Sequence, residues 1–193
     1  MNRKILYEYV RSLVPLSPEQ TALVVEGFDY FELAKQDLLL KEGKVSHSTY
    51  FLQEGIIRSF TFDNDGEEVT TNLYSAPCFV NDFLSFFKQQ PTQESFQAMS
   101  VCKLWTMDFA TVQHYFHTFP EFREFGRMML VSNYASLHDR MLGMIKETAE
   151  KRYLKLMHAQ PNIFQQVPLR MIASYLGITD SSLSRIRREL SQK

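Results

Sequence analysis

The sequence has little cysteine, glycine or proline: two, seven and seven residues among 193. Cys78 and Cys102 cannot furnish a four-thiolate iron–sulfur cluster or a Cys₄ zinc site, and both lie in apolar contexts typical of buried strands, where a reduced thiol is a small hydrophobe. No apolar run approaches the length of a spanning helix or a signal-peptide core, so no membrane partner is expected and the expected location is cytoplasmic. Catalytic signatures are missing too. There is no nucleophile elbow, no phosphate-cradling glycine loop, no His/Cys pair suited to catalysis and no paired haem-ligand signature, so neither an enzyme nor a cofactor is expected. His114 and His117 stand three apart and can share a helix face, but no third ligand accompanies them, and they read as surface or packing histidines rather than a metal site. Asp63-Asn64-Asp65-Gly66 lacks the ligand spacing of a calcium loop and reads as a turn.

What is present suits a packed core: 45% of the residues are hydrophobic and 13% aromatic, in a chain long enough for one domain or two. The net charge of -1 conceals a segregation. Residues 151–193 hold Lys151, Arg152, Lys155, Arg170, Arg185, Arg187, Arg188 and Lys193 against Asp180 and Glu189, a net +6 that leaves -7 for residues 1–150. A basic end on an acidic body is the electrostatic footprint of a protein that meets a polyanion at one end only.

Ser17-Pro18-Glu19-Gln20 predicts a helix start, with Ser17 as cap, Pro18 at the first helical position and Gln20 completing a capping box; the helix should run to about Glu26. From residue 28 to 107 short apolar runs alternate with turn signals, the texture of a compact antiparallel β domain. The Asp63–Gly66 turn joins residues 56–62 to residues 67–74, two β-prone runs of similar length, which predicts a hairpin. Residues 120–146 read as one long helix with two apolar stripes. Leu130, Tyr134, Leu137, Met141 and Met144 form one, the candidate dimer stripe, and Met128, Val131, Ala135, Leu142 and Ile145 the other. One stripe can lie on the chain's own β domain and the other against the same helix of a second copy, as in a coiled coil; the alternative buries both within one chain.

The strongest signal is C-terminal. After a helical stretch over residues 148–160, Ile172, Ala173 and Leu176 form one short apolar face and Leu183, Ile186 and Leu190 another, with Gly177-Ile178 between them. Gly177 suits a left-handed helix end, Ala173 permits close approach, and Thr179 is placed to cap the second helix, expected over about residues 180–190. With its apolar residues inward, that helix turns Ser181, Ser184, Arg185 and Arg188 outward as base-reading candidates, Arg185 foremost. Arg170, Ser182 and Arg187 are placed for phosphates. The alternative is an ordinary two-helix corner with a solvated charged face.

In that order, the β domain, the long helix and the C-terminal unit resemble the Crp/Fnr superfamily of bacterial regulators. The run Ile172-Ala173-Ser174-Tyr175-Leu176-Gly177-Ile178-Thr179 through Leu183-Ser184-Arg185-Ile186 matches its helix-turn-helix pattern without gaps, and Tyr50 to Arg58 resembles its early β-roll signature. The resemblance implies an α+β chain in three parts: a cyclic-nucleotide-binding-like antiparallel jelly roll over residues 1–119, a dimerisation helix over 120–146, and a winged helix-turn-helix DNA-binding domain over 147–193. It also implies a homodimer on a pseudo-palindromic duplex, with RNA polymerase as a further partner. Departures follow the resemblance. Where cyclic-AMP binders use a Gly-Glu pair and an Arg-Ser/Thr pair, this chain has Phe79-Val80-Asn81-Asp82-Phe83 and Glu94-Ser95, with only Lys88 cationic nearby, on an expected loop. Acids in place of a phosphate-binding cation argue against cyclic AMP in the usual mode. Phe79, Asn81, Asp82, Glu94 and Ser95 are kept as a candidate effector pocket for an unidentified small molecule, although the phenylalanines of this stretch are expected to fill the roll. Much of the family has Arg and Glu where this chain has Asp180 and Ser181, so a different operator is expected. The competing reading is a small-molecule-binding or protein-interaction module of the same fold that does not bind DNA.

Overall fold

The computed structural model describes residues 2–192. Two helices come first, α1 (Lys4–Leu13) and α2 (Pro18–Glu26). The second begins as its sequence requires: Ser17 Oγ accepts from the Gln20 amide at 3.2 Å, and Gln20 Oε1 accepts from the Ser17 amide at 2.8 Å. Eight strands follow: β1 (Asp29–Leu33), β2 (Leu38–Leu40), β3 (Ser48–Glu54), β4 (Ile56–Phe62), β5 (Glu68–Ser75), β6 (Cys78–Val80), β7 (Ser95–Ala98) and β8 (Cys102–Asp108). The short helix α3 (Phe83–Lys88) separates β6 from β7. Two four-stranded antiparallel sheets, ordered β1-β8-β3-β6 and β2-β7-β4-β5, face each other as a jelly roll. The hairpin forms as expected, β4 pairing with β5 from Ile56↔Ser75 to Phe62↔Glu68, and Asp63 Oδ1 accepts from the Asp65 and Glu67 amides to close its turn.

Between the sheets lie Leu52, Ile57, Val80, Phe96, Ala98, Cys102 and Leu104, all buried. A second core, under α1, α2 and the helices after β8, contains Leu6, Val10, Phe28, Phe51, Phe79, Phe86 and Trp105. Arg58 is 1% exposed on β4; its guanidinium donates to Glu68 Oε2 at 2.5 Å and Thr70 Oγ1 at 2.8 Å, which makes a charge tolerable there.

After β8 the chain is helical: α4 (Phe109–Thr118), α5 (Pro120–Lys146), α6 (Ala149–Ala159), α7 (Ile163–Gln166), α8 (Leu169–Tyr175) and α9 (Asp180–Ser191). His114 and His117 sit on α4, where His117 Nδ1 is 2.7 Å from the Gln113 carbonyl oxygen. The long helix has the bounds its pattern predicts, but its second stripe corrects the expectation. Of this stripe only Met128 packs against the core that includes roll residues, whereas Val131 is 48% and Ile145 72% exposed. Apolar packing into the core is made chiefly by the first turns, through Phe122, Phe125 and Gly126, all buried. A Cβ on Gly126 would come within 2.6 Å of the Phe116 ring, so glycine is what lets α4 and α5 close together. The wing is a further correction. Residues 147–192 hold only helices, because the stretch between Pro161 and Pro168 is too short for two strands and forms the single turn α7.

Candidate nucleic-acid interface

The C-terminal unit is built on one apolar cluster that it shares with Ile56, Leu73 and Met99 of the roll: Tyr153 and Leu156 of α6, Ile163 of α7, Val167 before α8, Ile172 and Ala173 of α8, Leu176, and Leu183 and Ile186 of α9. The turn between α8 and α9 follows its residues. Gly177 has φ +66, a backbone that an L side chain rarely adopts, and it lies close to Met144 of α5, whose methyl would stand 2.2 Å from an added Cβ. Thr179 caps α9, its Oγ1 accepting from the Ser182 amide at 3.2 Å.

α8 is held from both sides. The Thr70 amide of β5 donates to Ser174 Oγ at 2.9 Å. The guanidinium of Arg140, on α5, lies 4.2 Å from the centre of the Tyr175 ring, donates to the Tyr175 carbonyl at 3.2 Å, and reaches the Thr71 carbonyl on β5. Arg152 donates to the Leu176 carbonyl through Nε at 3.2 Å and Nη2 at 3.0 Å, and to the Glu147 carbonyl at 2.6 Å. Two cations at the C-terminal end of α8 satisfy carbonyls that the helix leaves open and complement its dipole. Sequence reasoning missed Arg140, Arg152 and Ser174. Apart from the Glu147 carbonyl, their partners are backbone groups 24 to 104 residues away, which no local pattern reveals.

α9 presents the opposite character. Leu183 and Ile186 are buried and Leu190 is partly so, while Ser181, Ser184, Arg185, Arg187 and Arg188 are exposed, as is Arg170 on the first turn of α8. Among the described residues the one ion pair on α9 is Arg185 Nε to Glu189 Oε1 at 3.9 Å, between side chains 73% and 58% exposed. Pairs of that kind contribute little, so Arg185 can leave it for another partner. Ser181 and Ser182 differ: both hydroxyls contact Thr179 Oγ1, at 2.9 and 3.0 Å, and Ser182 is half-buried. The basic segment is also less free than its count suggests. Lys151 and Lys155 both pair with Glu147, and the hydrogen bond from Lys155 lowers the Glu147 carboxyl from its ordinary pKa, leaving Arg170, Arg185, Arg187 and Arg188 as its outward cations among the described residues. Lys193 lies outside the described residues.

The predicted dimer stripe is bare within one chain: Leu130 is 38%, Tyr134 67%, Leu137 61%, Met141 50% and Met144 41% exposed. All but Met141 line a cavity of about 770 Å³ between β5, α3, α5 and α8, which also receives Asn81, Asp82 and Glu94. Burial raises the Glu94 carboxyl from its ordinary pKa, with Asp82 adding to the effect and Arg140 opposing it. Two of the five candidate effector residues need correction. Phe79 packs against the rings of Tyr9, Phe28, Phe51 and Phe125 in the core and does not reach this cavity, because β6 turns it inward. Ser95 is 5% exposed, and its hydroxyl accepts from the Glu42 amide at 3.1 Å. Lys88 also differs from expectation, ending α3 rather than lying on a loop; with Asp82 and Glu94 it lines a separate cleft.

Comparison with known proteins agrees with this architecture. Residues 30–119 match the cyclic nucleotide-binding domain family. The chain is 24% identical over 166 residues to the fumarate and nitrate reduction regulatory protein of Yersinia pestis, covering 80% of this chain and 65% of that protein. It is equally similar to the anaerobic regulatory protein of Haemophilus influenzae, of which it covers 63%. The chain thus spans slightly less than two thirds of the length of these relatives, both regulatory proteins. Among solved structures, FixK2 of Bradyrhizobium japonicum superposes with a TM-score of 0.72 at 15% identity, over 86% of this chain and 85% of that one.

Proposed function

We propose that this chain is a member of the Crp/Fnr superfamily and a homodimeric, sequence-specific DNA-binding transcription regulator, not an enzyme, acting in the cytoplasm; its match to the cyclic nucleotide-binding domain family and its similarity to two regulatory proteins support that reading. The observation that carries the proposal is the outward face of α9: three exposed arginines and short hydroxyl side chains on a helix whose inner face is anchored in an apolar core. A helix so built enters the major groove, where Arg185 reads a base edge with Ser181, Ser184 and Arg188 beside it. Arg170, Arg187 and the Ser182 end of the helix hold phosphates. The bare stripe of α5 pairs with its copy. The pairing sets two copies of α9 roughly 34 Å apart, one turn of a pseudo-palindromic duplex. RNA polymerase is the expected further partner. The cavity holding Asp82, Glu94 and Arg140 is the proposed effector site of the roll, and its acids suit a ligand other than cyclic AMP in the usual mode.

A salt titration of duplex binding tests this reading. Each neutralised phosphate contributes about -0.9 to the slope of log affinity against log salt, so a regulator loses affinity steeply as salt rises. A flat response, with tight binding of a small molecule, would instead indicate a ligand-binding module that leaves DNA alone.

A further inference from the structure

Next to the charged cavity lies a cleft of a different kind. It measures about 230 Å³ and is walled by α1, β5, the start of β6, α5, and the C-terminal residues Gln160 and Tyr175. Asn133 and Ser136 of α5, with Tyr74 and Tyr175, form the ridge between the two spaces. The charged cavity carries Asp82, Glu94 and Arg140. None of the residues lining the cleft is Asp, Glu, Lys, Arg or His. Its two weak acids beside α1 stay neutral at ordinary pH: burial raises the Tyr9 phenol, with Cys78 adding to it, and burial pushes the Cys78 thiol up to about 12. Gln160, which stands in the wall between this cleft and another lined by Arg140, Arg152 and Lys155, has a buried Oε1 that accepts no hydrogen bond among the described residues. An unmet buried acceptor costs about 1–3 kcal/mol, which favours anything that supplies a donor.

We propose that this cleft binds a small uncharged aromatic amide or a molecule of like chemistry, its N–H donated to Gln160 Oε1 and its ring set among the aromatic side chains of the walls. An ion is rejected because nothing in the lining would neutralise it once water is stripped away. The asparagines and serines around the cleft can accept and donate to the rest of an amide group. A bound molecule touches the roll and the C-terminal unit at once, so it stabilises their docked arrangement by the amount of its binding free energy. This inference does not depend on the DNA-binding reading.

Benzamide and benzoate, nearly equal in shape and different in charge, test it on the full chain. Benzamide is expected to bind with millimolar affinity, as its few atoms allow, and to shift the amide resonances of residues around Tyr9, Asn133 and Gln160. Benzoate should bind at least about tenfold more weakly, a difference of about 1.4 kcal/mol. Gln160→Met keeps the bulk and removes the acceptor, and should weaken benzamide about tenfold, whereas Glu94→Gln in the neighbouring cavity should leave it unchanged. The wild-type amide-versus-acid comparison stands even if a variant folds poorly. Equal binding of the two probes, absence of benzamide binding at ten millimolar, shifts confined to the Asp82–Glu94 cavity, or indifference to Gln160→Met would each overturn the proposal.

Discussion

α8 and α9 share one apolar cluster, yet their polar atoms are treated in opposite ways. α8 is tied down by Ser174 to β5, by Arg140 through the Tyr175 carbonyl and to β5, and by Arg152 through the Leu176 carbonyl. α9 has one loose ion pair and keeps its arginines in solvent. The difference separates two tasks. A helix that positions needs its hydrogen-bonding groups met within the molecule, and a helix that reads must keep them for a partner. A similar contrast runs along α5, whose first turns are sealed into the core by Phe122 and Phe125 while Tyr134, Leu137, Met141 and Ile145 stay exposed further along.

The comparison can be broken at four points, in order of expected effect. Leu183→Ala removes the anchor common to both helices; it should destabilise the C-terminal unit by about 2–5 kcal/mol in denaturant melts and abolish DNA binding while the roll stays folded. Leu137→Lys leaves a single chain intact, since Leu137 is 61% exposed there, but sets two like charges against each other in the pair and should weaken dimerisation by on the order of 3 kcal/mol. Sedimentation would detect monomers at micromolar concentration, and a variant that stays fully dimeric would remove α5 from that role. Arg185→Ala should cost about 1–3 kcal/mol of specific DNA affinity and relax discrimination at one base pair per half-site, with no change in the melting curve. Ser174→Ala strips a partner from the Thr70 amide and should lower stability by about 1 kcal/mol while leaving base preference alone. If Ser174→Ala altered base preference and Arg185→Ala only stability, the assignment of tasks to the two helices would be reversed.

Much of this was legible in the residues because it is local. The capping box at Ser17, the hairpin at Asp63–Gly66, the bounds of α5, the left-handed Gly177 and the Thr179 cap all follow from contacts a few residues long. α1 left a readable trace that was not used, since Leu6 and Val10 repeat at helical spacing and are fully buried. What escaped was set by distant chain. The stripe of α5 from Met128 to Ile145 carries the same period whether it meets the roll or solvent, so its pattern could not decide between them. The roles of Arg140 and Arg152 carry no local signal, because carbonyls they serve lie on other elements. Phe79 and Ser95 are grouped with Asn81, Asp82 and Glu94 by the family resemblance, whereas strand alternation and burial separate them from the cavity that those three line.

Selection of bound duplexes from a random pool, run in parallel on the wild type and Arg185→Ala, tests the central claim most directly. The account predicts enrichment of two inverted half-sites about one helical turn apart, with one position per half-site losing its preference in the variant. A pool that emerges unenriched, or identical preferences with and without Arg185, would contradict it.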